Sequence, residues 1–212
     1  MKYSEFVKFL PKIINLSLPG FEAHAKMAPL DRIATLKQPI FPENSKKAAV
    51  MMLFYPKNND VFLALILRNS YKGVHSSQIA FPGGKVEVSD ADLKQTALRE
   101  TFEEIGIDNN SIEVIRQFSE IFIPPSNFVV TPFLGLSHSE IIFNPSEREV
   151  AGMIEVSIDE ILDDANVSAV SLTTSYAENW EVPAFKFGEF VVWGATAMML
   201  NELKEVIKTA LK

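Results

Sequence analysis

Residues 83–107 read GGKVEVSDADLKQTALRETFEEIGI, and this stretch carries the most informative pattern of the chain. A double glycine, Gly83-Gly84, permits a tight turn and a close approach of the backbone to a ligand. After it, residues 90–105 have apolar side chains at helical spacing, namely Leu98, Phe102 and Ile105. Gly106 is the residue expected to end that helix. The spacing predicts a turn followed by an amphipathic helix.

Three glutamates stand at the end of this predicted helix, at positions i, i+3 and i+4: Glu100, Glu103 and Glu104. Residues at this spacing share one helix face, so their charges repel one another. They also lie in the last turn, where the helix dipole disfavours anions. A divalent cation reverses the sign of both penalties, and oxygen-only ligands suit a hard ion such as Mg²⁺ or Mn²⁺.

The alternative to a metal site is a solvated acidic face, which is the ordinary interpretation of a glutamate-rich helix. Two neighbouring features favour the metal site. Arg99 lies next to Glu100 and can bind a carboxylate through two hydrogen bonds. The carbonyl of Gly84 offers one more oxygen ligand at the preceding turn.

Around this segment the chain alternates strand-like runs with few helices. A hairpin is expected from residues 48–55 and 61–67, which flank a Pro-Lys-Asn-Asn-Asp turn. Further strands are expected at 79–81, 112–122, 128–136, 148–156, 182–187 and 189–193, with helices at 157–162 and 195–211. The pattern predicts an α+β fold, a mixed sheet flanked by helices.

The first part of the chain differs from the rest. Residues 4–14 read as a short amphipathic helix capped by Ser4, and four prolines interrupt the stretch 15–46. We interpret 1–46 as a helix and proline-rich arm packed on a body of residues 47–212. The arm can wrap its own body or a second subunit, so a homodimer stays open.

Composition excludes several classes of protein. The 212 residues carry 20 Lys and Arg against 27 Asp and Glu, a net charge of −7, which argues against a nucleic-acid partner. The chain has no cysteine, which rules out disulfides, zinc–thiolate sites and thiol nucleophiles. The absence of cysteine fits a reducing compartment. We see no membrane span and no signal peptide, and expect a cytoplasmic protein.

The segment resembles the Nudix box, whose pattern is G-x5-E-x7-R-E-U-x-E-E-x-G-U, with U an apolar residue. The second half of the box matches in register through Arg99-Glu100, Glu103-Glu104 and Gly106-Ile107. Gly84 lies one residue farther from Arg99 than in the pattern, and Thr101 replaces an apolar residue. A one-residue insertion before the helix accounts for the spacing and makes Asp90 the acidic residue nearest to the first Glu of the box. The resemblance implies a Nudix-type α/β/α sandwich.

A longer resemblance points to the coenzyme A pyrophosphatase branch of that family. The matching segments are Arg68-Asn69-Ser70, residues 75–84 (HSSQIAFPGG), Thr96-Ala97-Leu98-Arg99-Glu100, residues 124–132 and Trp193-Gly194-Ala195-Thr196-Ala197. The branch often has Arg at position 73 and Gly at position 77, where this chain has Gly73 and Ser77. The similarity covers roughly residues 47–200.

The resemblance implies roles for the residues of the box. Glu100 and Glu104 are the best metal ligands by position, with the Gly84 carbonyl beside them. Glu103 is either a third ligand or the base that deprotonates the attacking water. Arg99 orients Glu100.

Residues outside the box extend this set. Glu149 is the first candidate, and Glu120 the second, for a carboxylate that completes the metal site from a later loop. Substrate-binding candidates are Arg68, His75 and Phe81. His75 contacts a phosphate or is satisfied by backbone. Phe81 stacks on an adenine or anchors the turn in the core. Trp193 is expected in the core.

The function implied is Mg²⁺- or Mn²⁺-dependent hydrolysis of a nucleoside diphosphate linked to another moiety, with coenzyme A as the leading substrate. ADP-ribose, a sugar nucleotide or a nucleoside triphosphate are alternatives within the same class. A non-catalytic Nudix-fold binding module is the alternative from another class, but its usual mark is a broken box, and here Arg99, Glu100, Glu103 and Glu104 are all present.

Overall fold

The structure is a computed structural model that describes residues 1–37, 41–69, 78–172 and 180–212. The helices are α1 (Tyr3–Asn15), α2 (Phe21–Ala25), α3 (Ile33–Leu36), α4 (Leu93–Ile105), α5 (Ile158–Leu162) and α6 (Gly194–Ala210). The strands are β1 (Lys46–Lys57), β2 (Asp60–Arg68), β3 (Ile79–Ala80), β4 (Gly83–Lys85), β5 (Glu113–Gln117), β6 (Ile121–Ile123), β7 (Phe128–Leu136), β8 (Val150–Ser157), β9 (Val167–Leu172), β10 (Trp180–Phe187) and β11 (Phe190–Trp193).

Eight strands form one mixed sheet. Its main path runs β3-β2-β1-β7-β5, while β4 pairs with β1, β6 with β7 and β8 with β2. Strands β1 and β7 are parallel, and the other pairs are antiparallel. A second, three-stranded sheet has the order β11-β10-β9. Among the described residues, no helix has the length and apolar character needed to cross a bilayer.

The two faces of the main sheet bury different side chains because strand residues alternate in direction. On one face, Ala49, Met51 and Leu53 of β1 pack against Ala97, Leu98 and Ile105 of α4. On the other face, Ala48, Met52 and Phe54 pack with apolar residues of α1 and α6. Helices therefore cover both faces, which confirms the α+β class and the α/β/α sandwich.

The helical part of the arm packs on the face that α6 covers. Helix α1 buries Phe6, Leu10 and Ile13 in that core. Three details differ from expectation. Helix α1 begins at Tyr3, so Ser4 is not its cap, and Lys2 precedes it without a side-chain cap. Helices α2 and α3 lie in a stretch expected to be irregular, and the run 112–122 is divided between β5 and β6.

The expected apolar stripe of α4 is wrong at one position. Phe102 is 54% exposed, whereas Thr101 and Glu104 are buried on the inner side of the helix. The Thr101 hydroxyl is satisfied by donating to the Ala97 carbonyl at 2.6 Å. Because the rotation of α4 places Glu104 inward, the helix presents a carboxylate to the sheet where an apolar residue is usual.

Candidate active site

The two glycines of the turn belong to β4, a strand that sequence reasoning read as a turn alone. Gly84 pairs with Ala49 and Gly83 with Val50 of β1. Gly83 has φ +152°, and a Cβ there would clash with the backbone carbonyl of Ala49. Only glycine fits this position, so the pair of glycines brings the β4 backbone directly under helix α4.

Gly84 lies against the side chain of Glu100. A Cβ at Gly84 would stand 2.5 Å from Cδ of Glu100 and 2.6 Å from each of its carboxylate oxygens. Burial raises the pKa of Glu100, as do the charges of Glu103 and Glu149, while Arg99 lowers it. The Glu100 carboxylate therefore lies close to the Gly84 backbone and is repelled by the charges of Glu103 and Glu149.

Glu104 is the most buried of the three glutamates, at 1% exposure. Its Oε2 accepts a hydrogen bond from the Gly83 N–H at 2.8 Å, and its Oε1 lies 3.4 Å from Nη1 of Arg68. Burial raises the pKa of Glu104 to about 7, and the charges of Glu100 and Glu149 add to that rise. The effect of burial on the Glu104 carboxyl therefore outweighs the attraction of Arg68, and the folded protein disfavours the charged form of Glu104.

Arg99 joins the acidic residues of the helix. Its Nη1 donates to Oε1 of Glu100 at 2.9 Å and to Oε2 of Glu103 at 3.1 Å. Its Nε and Nη2 bind the two oxygens of Asp90, each at 2.9 Å. Asp90 also accepts hydrogen bonds from the Thr96 hydroxyl and the Glu87 N–H. Asp90, the acidic residue nearest to the first Glu of the box by its distance from Gly84, is thus bound directly to Arg99.

In the described part of the chain, no third carboxylate lies close enough to Glu100 and Glu104 to complete a metal site. The side chain of Glu103 is 49% exposed and turned toward Arg99. Among the described residues, no three acidic or histidine side chains stand close enough together to hold a metal ion as they are. The donor types nevertheless fit a hard cation: two repelling carboxylates and, at Gly84, a backbone approach that leaves no room for a Cβ.

The two candidates from later loops differ in their relation to this pair. Glu149 lies near enough to raise the pKa of both Glu100 and Glu104. Glu120 instead accepts a hydrogen bond from the Thr131 hydroxyl at 2.9 Å. Thr131 pairs with Ala49 on the side of β1 opposite to β4, so the backbone carrying Glu120 lies farther from Gly84. The geometry favours Glu149, and its role as a ligand stays a prediction.

The three substrate-binding candidates have different surroundings. Arg68 lies beside Glu104 and also lines a cavity. Phe81 borders the same cavity, but it is 1% exposed and belongs to the core, which favours the turn-anchoring role. His75 lies outside the described residues.

That cavity has a volume of about 670 Å³ and lies on the face of the main sheet opposite to α4. Its floor includes Ala48 and Val50 of β1, and at one end it reaches Gly83, Gly84 and Lys85. Gly84 lines the cavity and also lies against the side chain of Glu100, so the acidic cluster is next to the glycine end of the cavity. A substrate in the cavity can therefore present one end to the acidic cluster.

Two tryptophans form part of the cavity wall, and sequence reasoning missed this. Trp180 and Trp193 pack edge to face, with ring centroids 6.2 Å apart. Trp193, expected in the core, is partly exposed. The arm contributes Pro29, Asp31 and Arg32 to the same wall. These residues come from segments far apart in the chain, so no local pattern identifies them.

Comparison with known proteins gives a consistent family. The NUDIX domain family model matches residues 45–175. Uncharacterized Nudix hydrolase NudL of Yersinia enterocolitica is 31% identical over 167 residues, which cover 79% of this chain and 84% of that one. The chloroplastic Nudix hydrolase 22 of Arabidopsis thaliana is 32% identical over 169 residues, 76% of this chain and 55% of that one.

Solved structures agree on the fold. A crystal structure of RenU, a Nudix hydrolase from M. smegmatis, superposes with a TM-score of 0.55 at 18% identity, covering 80% of this chain and 94% of that one. A MutT/nudix family protein from Enterococcus faecalis gives a TM-score of 0.52 at 16% identity, covering 92% and 76%.

Proposed function

The chain belongs to the Nudix hydrolase family, and on that premise we propose that it hydrolyses coenzyme A to 3′,5′-ADP and 4′-phosphopantetheine. Membership makes it a hydrolase of phosphoric anhydrides that acts on nucleotide-derived small molecules with a divalent metal ion. The preference for coenzyme A rests on the segments 75–84 and 193–197. The structural observation that carries the proposal is the cavity that ends at Gly83, Gly84 and Lys85.

The proposal assigns Glu100, Glu104 and the Gly84 carbonyl to the metal site, with Glu149 as the added carboxylate. The ion is Mg²⁺ or Mn²⁺. When bound, such an ion neutralises charge on the diphosphate and lowers the pKa of a coordinated water. The two carboxylates supply the negative charge that holds it, and the Gly83 N–H and Arg68 keep the Glu104 side chain in place.

In the proposed reaction, the oxygen of water forms a bond to one phosphorus of the diphosphate, and the bridging P–O bond breaks. Glu103, exposed at the end of α4, accepts the proton of the water. Arg99 keeps Glu100 and Glu103 in position through its hydrogen bonds. Catalysis of this kind depends on positioning and electrostatics, for which the close α4–β4 contact is suited.

Two alternatives remain for the experiment to decide. ADP-ribose, a sugar nucleotide or a nucleoside triphosphate would use the same acidic cluster with a different occupant of the cavity. A non-catalytic binding module would need no intact hydrogen-bond network around Arg99, so the network favours an enzyme. The cytoplasmic location and a homodimer stay predictions.

The test is a substrate panel of coenzyme A, ADP-ribose, NADH, a sugar nucleotide and a nucleoside triphosphate, each with Mg²⁺ and with Mn²⁺. Products are resolved by mass, and reaction in heavy-oxygen water identifies the phosphorus attacked. Coenzyme A should give the highest kcat/KM. Glu100→Gln should abolish turnover, while Glu43→Gln, an exposed glutamate, should leave it unchanged. A kcat/KM for ADP-ribose about tenfold higher than that for coenzyme A would contradict the proposal.

A further inference from the structure

The cavity wall contains residues that lie outside the part of the chain shared across the family. The family model matches residues 45–175, whereas Pro29, Asp31 and Arg32 precede this range and Trp180 and Trp193 follow it. The acidic cluster and its glycines lie within the match. The outer wall is therefore where this chain can recognise a feature of its substrate other than the anhydride.

Among the described residues, Arg32 is the basic residue of this outer wall. It ends the short turn Leu30–Arg32, and its Nη2 donates to the Phe122 carbonyl at 2.5 Å. This contact fixes the guanidinium at the edge of β6, where it lines the cavity. A guanidinium is always charged and presents five N–H donors in a planar fork that matches phosphate oxygens.

The position of Arg32 is remote from the glycine end of the cavity. Lys85 of β4, Ala48 of β1, Val130 of β7 and Ile121 of β6 are successive partners across the sheet. Three strand spacings separate β4 from β6, roughly 14 Å. A diphosphate at Gly84 therefore does not reach the residues next to Phe122. A substrate that places an anionic group at Arg32 must therefore carry that group on its non-reacting part, apart from the diphosphate.

The other cations that line the cavity in the described part of the chain belong to its glycine end. Arg68 lies beside Glu104, and Lys85 directly follows Gly84 in β4. Asp31, next to Arg32 in the chain, is an exposed carboxylate on the same wall. The net charge of the protein is −7 and Asp31 lies on the same wall, so long-range electrostatic attraction does not favour a phosphate at the Arg32 end of the cavity. A phosphate there has to be recognised by direct contact with Arg32.

Resting on the proposed function, we propose that Arg32 binds a phosphate on the non-reacting half of the substrate, which in coenzyme A is the 3′-phosphate of the ADP moiety. The arm is then part of the substrate site. ADP-ribose and NADH lack this phosphate, so the contact makes Arg32 a specificity-determining residue.

Binding of the product measures this contact without turnover. The chain has two tryptophans, and both line the cavity, so intrinsic fluorescence reports its occupancy. The probes are 3′,5′-ADP and 5′-AMP, which differ only in the 3′-phosphate, titrated in EDTA. Wild type should bind 3′,5′-ADP about tenfold more tightly than 5′-AMP. Arg32→Gln should bring that ratio to about one and leave the affinity for 5′-AMP unchanged.

Three further variants control for charge and folding. Lys26→Gln removes one positive charge from the same arm away from the cavity, and should keep the ratio. Arg32→Lys should keep part of the affinity ratio, since the ammonium of Lys keeps the charge but lacks the planar set of N–H donors of the guanidinium. Asp31→Asn should keep or increase it. Thermal unfolding of each variant reports whether loss of the Phe122 contact has damaged the fold.

The inference and the proposed function fail separately. Equal binding of the two nucleotides by wild type, an unchanged ratio in Arg32→Gln, or equal loss of both nucleotides in that variant would each overturn the role of Arg32. Coenzyme A hydrolysis in the substrate panel would stand in all three cases. Failure to hydrolyse coenzyme A would overturn the proposed function, while the nucleotide titration would still decide whether Arg32 reads a phosphate.

Discussion

The backbone of Gly84 and the carboxylate of Glu100 occupy adjoining space with no room for a methyl group between them. The backbone of Gly84 has a conformation that any residue can adopt, whereas Gly83 has φ +152°. A larger residue at position 84 would clash only with the carboxylate end of the Glu100 side chain, which can move. The contact therefore fixes the position of the Glu100 side chain and is not needed to hold the fold together.

Gly84→Ala should move the Glu100 carboxylate and reduce kcat about 100-fold, because small misplacements of catalytic groups are costly. The free energy of unfolding should change by less than about 1 kcal/mol. Gly152→Ala, where a Cβ meets nothing within 4 Å, should change neither. Gly83→Ala should unfold at a much lower temperature, since its Cβ meets the Ala49 backbone. Full activity in Gly84→Ala would show that Glu100 does not need its present position.

Replacing Glu100 and Glu104 together by Gln tests the metal site. Turnover should fall by about 1,000-fold or more, since the two carboxylates proposed to hold the ion lose their charge. In EDTA the melting temperature should not fall, because burial raises the pKa of both carboxyls and the fold already disfavours their charged forms. Wild type should gain melting temperature with Mg²⁺, and the double variant should gain little.

The control for that variant is Glu43→Gln with Glu181→Gln, which removes two charges from exposed positions. It should keep both the activity and the Mg²⁺-dependent rise in melting temperature. A strong loss of melting temperature in EDTA for the Glu100 and Glu104 variant would instead make these residues structural.

Local signals in the sequence were sufficient for much of the fold. The β1–β2 hairpin turns at Asn58 and Asn59, both with positive φ, as the Asn-Asn pair indicated. Gly106 ends α4 in the left-handed conformation, as expected from its place after the last apolar residue of the helix. Each of these features depends on a few neighbouring residues, which is why a single sequence predicts it.

Features set by contacts between distant segments were missed. The rotation of α4 places Glu104 inward, where the Gly83 N–H and Arg68 contact its carboxylate, and it leaves Phe102 exposed. The cavity wall joins Arg32, Trp180 and Trp193, which no periodicity relates. Asp90 could be suspected from its spacing, but its two hydrogen bonds to Arg99 depend on how the turn folds back on the helix.

Asp90→Asn should disturb Arg99 and, through it, Glu100. Hydrogen bonding to Arg99 holds the pKa of Asp90 well below its ordinary value, so the carboxylate is charged at neutral pH. Loss of this paired charge should cost about 2 kcal/mol of unfolding free energy. We also expect kcat to fall about tenfold while KM changes little, because Arg99 acts on the carboxylates.

Asp92→Asn is the matched control for Asp90→Asn. Asp92 caps α4 by accepting from the Gln95 N–H at 2.8 Å, and Asn caps helices as well as Asp does. Its stability and kcat should both stay near wild type. If Asp90→Asn behaved like this control, Arg99 would be held without Asp90.

A buried carboxylate fastens the arm to α6. Oε1 of Glu202 accepts hydrogen bonds from the Gly20 N–H at 2.9 Å and the Ser119 hydroxyl at 2.5 Å. Its Oε2 accepts from the Ser119 N–H at 3.1 Å and lies 3.4 Å from Nε2 of His24. Burial alone would raise the pKa of Glu202, but His24 and Ser119 bring it below the ordinary value of 4.5.

Because the pKa of Glu202 is lower in the folded protein than in the unfolded chain, its contribution to stability is complete above about pH 4.5 and is lost as the pH falls further. Glu202→Gln should therefore lower the free energy of unfolding by about 2 kcal/mol at pH 7 and by clearly less at pH 3.5, measured by urea unfolding. Glu205→Gln, which removes a more exposed ion pair with Lys26, should cost less than about 0.5 kcal/mol at pH 7. An equal loss for Glu202→Gln at both pH values would show that its hydrogen bonds stabilise the arm independently of its charge.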